Sequence, residues 1–132
     1  MSNSTTKLDQ LYNKANTYNE DIPSDLAKKI VVYTEILRVL GVYIAHATYK
    51  LGQIEADRRR EYAIAIVREG GTSKEKEGKA ELRITKYRKM EYQAEADLIK
   101  WKNAYDSTKE LINALKKQLE VLLLEWGGNG NG

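Results

Sequence analysis

The chain has 132 residues, a formal net charge of +3, one His, one Pro, and neither Cys nor Phe. That length suits one domain, and the lack of Cys excludes disulfides, thiolate metal sites and a cysteine nucleophile. A lone His argues against zinc centres and His-dependent triads, while a charge of +3 permits contact with nucleic acid or an anionic surface without demanding it.

Residues 1–6 are polar and expected to fray, and the first ten residues hold no basic-plus-apolar signal segment. Leu8, Leu11, Tyr12 and Ala15 follow the i, i+3, i+4, i+7 spacing of a short amphipathic helix. Asn13, Asn16, Asn19, Glu20 and Asp21 then dilute the pattern into a linker that ends at Pro23. Residues 1–23 thus read as a polar N-terminal segment carrying one short helix.

Ser24 is a candidate N-cap, with Asp25 placed to favour a helix N-terminus. From there Leu26, Ile30, Tyr33, Leu37, Leu40, Ile44, Ala47, Leu51 and Ile54 step by alternating four and three. That heptad seam predicts a long helix that pairs with another. It continues to about Arg68 and stops at Gly70–Gly71, where a glycine can take the left-handed conformation. The most apolar run, residues 30–45, is broken by Glu35 and Arg38 and falls short of a membrane span. The expectation is a soluble, cytoplasmic protein (of the host cell if the chain is viral) with no membrane partner.

Thr72-Ser-Lys-Glu75 is a capping box, in which the Thr hydroxyl and the Glu carboxylate satisfy each other's unpaired amides. The second seam reads Ala80, Ile84, Tyr87, Glu91, Ala94, Leu98, Trp101, Tyr105, Thr108, Ile112, Leu115, Leu119 and Leu122. No proline interrupts it, so residues 72–126 are predicted as one helix of about 50 residues, roughly 75–80 Å long. Gly127 and Gly128 are expected to end it, leaving 127–132 as a flexible Gly/Asn tail.

The predicted fold is all-α: a long antiparallel helical hairpin, or coiled coil, over residues 24–126 with its turn at 69–72. So short a link forces the helices antiparallel, and facing residues should have numbers summing to about 141. Leu40 then faces Trp101, Leu51 meets Glu91, and Arg58 meets Ile84. Ala47 opposite Ala94 makes a small-residue layer where the helices should approach closely. Glu91 is expected to set the register while reaching solvent past its neighbours.

The first long helix carries a second apolar stripe, Val32, Ile36, Val39 and Tyr43. Left bare it would be a broad apolar face, so these four residues are a candidate oligomer interface. A second copy covering it would assemble a four-helix core by dimerisation. The alternative is a compact three-helix monomer in which the N-terminal helix does the covering.

Little points to catalysis. A di-iron site in a four-helix core needs Glu-x-x-His pairs, but three residues before His46, the only His, stands Tyr43. The glycines at 70–71 do not frame a phosphate loop. No enzyme activity, catalytic residue, metal or cofactor is expected. The basic residues say more. Arg58, Arg59, Arg60, Arg68, Lys79, Arg83, Lys86, Arg88 and Lys89, with Tyr62 and Tyr87 among them, gather at the tip half of a hairpin. Clustered cations with interleaved tyrosines suit phosphate backbones and stacked bases, and these eleven residues are candidate DNA or RNA contacts. Interspersed acids offer the plainer reading of a solvated mixed-charge coil.

Residues 95–117, EADLIKWKNAYDSTKELINALKK, resemble small helical phage or prophage proteins of early gene regions, near recombination and replication functions in Gram-positive hosts. The resemblance implies an accessory role touching DNA or a host nuclease and transfers no site residues. A secreted WXG-type hairpin is rejected, since its Trp-x-Gly belongs at the turn and here the tryptophans are Trp101 and Trp126. The leading expectation is an oligomeric, non-enzymatic phage accessory that binds nucleic acid non-specifically through the hairpin tip. The alternatives are a protein-binding module (a phage scaffold, or an inhibitor of a host defence nuclease) and a purely structural coiled coil.

Overall fold

A computed structural model of the chain describes residues 6–130, and the expectations for residues 1–5 and 131–132 lie outside them. The fold is all-α. Four helices occur among the described residues: α1 (Lys7–Ala15), α2 (Pro23–Arg68), α3 (Ser73–Arg83) and α4 (Thr85–Gly130). They divide between two compact units, Met1–Val42 with Lys102–Gly132, and Tyr43–Trp101.

The first unit holds α1, the opening half of α2 and the closing half of α4. A capping box at Thr6 and Asp9 starts α1, a signal the hydrophobic spacing alone passed over. Leu8 and Ala15 are buried, and Tyr12 meets the edge of Tyr33 on α2 with ring centroids 6.5 Å apart. The linker is tied locally: the Asn19 N–H donates to Asp25 and the Asp21 N–H to the Asn19 side chain. Leu26, Val32, Ile36, Leu40, Ile112 and Leu115 complete the core. Buried Thr108 is satisfied by donating its hydroxyl to the Ala104 carbonyl at 2.7 Å.

This packing bears on the expected dimer face. Val32 and Ile36 are buried within the single chain, and Val39 and Tyr43 are half-buried. Two of the four stripe residues are thus already covered inside one chain, with α1 packed on α2 through Tyr12 and Tyr33. The helix start also shifts. Pro23, not Ser24, opens α2: its missing N–H costs nothing at the first helical position, and Ile22 accepts the first helical bond from Leu26. An 18-residue window of α2 reaches mean hydropathy 1.5, so by length and composition it meets the requirement for crossing a membrane that residues 30–45 were expected to miss. Of that window 22% is buried within the chain.

The second unit is the hairpin turn with its flanking arms. Its buried residues are Ile54, Ala65, Ala80, Ile84 and Ala94, a thin core dominated by alanine. Gly71 takes φ +108°, as the turn demands, and the Thr72–Glu75 capping box forms as expected. The second long helix is not continuous, however. Ile84 sits at φ −92°, ψ 4° and separates α3 from α4, although its N–H still bonds Ala80 and its carbonyl accepts from Arg88. Two β-branched residues in succession disfavour the helix there, and the Thr85 hydroxyl bonds the Glu81 carbonyl one turn back, which bends helices.

The register departs from a sum of 141 as well. Arg58 bonds Glu91, where a sum of 141 puts residue 83, and Trp101 packs edge-on against Tyr43, a pair summing to 144. Two causes push the same way. Helical side chains lean toward their own N-terminus, which in an antiparallel pair raises the numbers of residues that meet. In addition, α2 keeps its hydrogen bonding through Glu69, moving the turn's centre toward the C-terminus. At the chain's other end, α4 does not stop at Gly127 but continues through Gly130. A glycine allows the left-handed conformation without imposing it, and among the described residues only Gly71 has positive φ.

Candidate nucleic-acid interface

Charge is unevenly spread along the sequence. Residues 58–89 hold eleven Lys and Arg against five Asp and Glu, an excess of six in a chain whose net charge is +3. The turn brings the end of α2, all of α3 and the start of α4 together within the Tyr43–Trp101 unit, so the excess is concentrated at the tip.

The eleven candidate contacts fall into three groups. Arg58 is withdrawn from solvent: it bonds Glu91, and the two side chains are 21% and 13% exposed. Glu91 therefore reaches Arg58 rather than solvent, because the shifted register places a guanidinium directly beside it. Arg88 is clamped by two bonds to Glu81, at 3.0 and 3.1 Å, which raise its pKa further above the ordinary arginine value. Arg60 pairs with Asp57 at 3.3 Å, while Lys79 and Arg83 share Glu69 at 4.0 Å. Tyr62 and Tyr87 are half-buried, with Lys86 lying over the Tyr87 ring at 5.1 Å. Neither tyrosine is a free stacking platform. Arg59, Arg68, Lys86 and Lys89 remain exposed, with no ion pair among the described residues. Exposed pairs such as Arg60–Asp57 are weak enough to exchange for a phosphate; Arg58–Glu91 is not exposed.

Two features escaped the sequence. Glu55, Glu91 and Glu95 bring one carboxylate oxygen each within 4.8 Å of one another, with Arg58 bonded to Glu91 in the same cluster. Spacing of three and four along each helix was visible, but only the true register aligns the two helices. The second feature is a cavity of about 400 Å³ lined by Tyr43, His46, Ala47, Lys50, Ala94, Asp97 and Trp101. Ala47 and Ala94, the expected small-residue layer, both line this hollow between larger neighbours. Tyr43 and Trp101 wall one end, ring centroids 4.8 Å apart at 70°, and Lys100 lies 4.3 Å over the Trp101 ring.

No protein-family model, curated protein or solved structure matches the chain.

Proposed function

We propose that the chain is a non-enzymatic accessory protein of phage type that binds nucleic acid without sequence preference, through the basic tip of its hairpin. The observation that carries this reading is the excess of six positive charges within residues 58–89, together with four exposed candidate cations that have no ion-pair partner among the described residues. Phosphate contacts of this kind supply affinity without sequence information. A nucleic-acid partner puts the protein in the cytoplasm, that of the host if the chain is viral.

Four phosphate contacts predict a slope of log affinity against log salt of about −3.6 on duplex DNA, or about a 150-fold loss between 50 and 200 mM salt. Fluorescence anisotropy with labelled duplex and single-stranded DNA measures both. Lys86→Glu combined with Lys89→Glu should flatten the slope by about two. Absence of binding at 50 mM salt, or a slope the double substitution leaves alone, refutes the reading.

Val67 and Leu82, 83% and 77% exposed at the same tip, favour a second reading as a protein-binding module. That reading expects a stable protein complex from host lysate that survives high salt, and little affinity for DNA.

A further inference from the structure

The cavity between Ala47 and Ala94 is not needed to grip phosphates, yet it lies in the same compact unit as the basic tip. Resting on the phosphate-binding reading, we propose that this cavity receives one unstacked nucleobase and gives the protein a preference for single strands.

Its chemistry selects the ligand. A volume of about 400 Å³ lies within the range of small-ligand sites. The hollow has an alanine on each side and an aromatic end wall of Trp101 and Tyr43, which suits a flat, mostly apolar body. Its polar groups are of both signs. Lys50 comes from α2 and Asp97 from α4, and neither has an ion-pair partner among the described residues. A purely aliphatic ligand would leave both charges unanswered. A simple anion is opposed by Asp97, and a simple cation by Lys50. A base edge carries donors and acceptors side by side and answers both. Thymine, for instance, offers an N–H to Asp97 and carbonyl oxygens to Lys50.

Position fits as well. Lys86 precedes Ala94 by eight residues on α4, which puts the two about 12 Å apart along the helix axis and about 80° apart around it. A strand with one base in the cavity can run its phosphates toward Lys86. A base paired in a duplex cannot enter the hollow without flipping out, and that cost is least for a single strand.

The test separates base from phosphate. Three labelled probes of equal length are compared at low salt: oligothymidylate, an abasic deoxyribose-phosphate oligomer, and a duplex. Oligothymidylate should bind about 5- to 100-fold tighter than the abasic oligomer and quench Trp101 in a Trp126→Phe background. Ala47→Leu, which fills the hollow, should bring oligothymidylate down to the abasic level and leave abasic affinity unchanged. Asp97→Ala removes a negative charge and so has no means of weakening phosphate binding; it too should lower the ratio of oligothymidylate to abasic affinity. Equal binding of the base-bearing and abasic probes overturns the base site and leaves the phosphate reading standing. A ratio untouched by both substitutions does the same. Failure of all three probes to bind overturns both.

Discussion

Substituting Arg58→Leu removes the guanidinium bonded to Glu91 and leaves Glu55, Glu91 and Glu95 with their carboxylate oxygens within 4.8 Å of one another. Removing one member of a buried ion pair costs about 3–5 kcal/mol. The Arg58 and Glu91 side chains retain 21% and 13% exposure, so water recovers part of that, and a loss of about 2–3 kcal/mol is expected. With an unfolding entropy near 2.1 cal/mol/K per residue, each kcal/mol lowers the melting temperature of a chain this size by about 3.5 °C, giving about 7–10 °C. The reciprocal change should be milder. In Glu91→Leu the arginine still has Glu55 and Glu95 in its neighbourhood, so the loss should be about 1 kcal/mol, or 3–4 °C. Thermal melts followed by circular dichroism at 222 nm measure both. Because Arg58 is already neutralised, Arg58→Leu should also leave the salt slope of DNA binding unchanged. Equal losses from the two substitutions, or a slope flattened by about one in Arg58→Leu, would refute the assignment of Arg58 to the seam rather than to the ligand.

Two glycines should respond oppositely to alanine. At Gly71, φ is +108° and an added Cβ would lie 2.3 Å from a Glu75 carboxylate oxygen, so Gly71→Ala should cost about 2 kcal/mol by straining the turn and displacing the cap. At Gly78, inside α3 with open space around it, Gly78→Ala should add about 0.5–1 kcal/mol, read in the same melts. Ile36→Ala removes a fully buried side chain and should cost about 2–4 kcal/mol, with no change of mass by light scattering. A shift in mass would restore Val32 and Ile36 as an interface between copies.

Much of the architecture was written in spacing and punctuation. The four-three seam from Leu26 to Ile54 marked α2, and every residue of it is buried or half-buried. Gly70, Gly71 and the Thr72–Glu75 box located the turn to within a residue. Less legible was anything that depends on side-chain direction. Two regular heptads can slide past each other by part of a turn without spoiling either stripe, so the sequence left Arg58 facing Ile84 rather than Glu91. The Ala47–Ala94 layer shows the same limit. Small residues at facing positions mark the layer, but the hollow that they line depends on the large neighbours on each side. The Ile84 break was hidden because its cause, a Thr hydroxyl competing for a carbonyl, does not disturb the hydrophobic period. For the basic tip, composition revealed the excess charge, but which cations are already spoken for depends on acids brought close by folding.

The interruption at Ile84 has a kinetic consequence. Beyond it, α3 is eleven residues long and buries only Ala80, so little free energy resists its opening. Its backbone amides should exchange with solvent far faster than those beside Leu40 or Ile112. Lys74, Lys76, Lys79 and Arg83 ride on this segment. When it opens, these four cations sweep a wider volume than a rigid helix would allow, enlarging the target an approaching polyanion must hit and speeding first encounter.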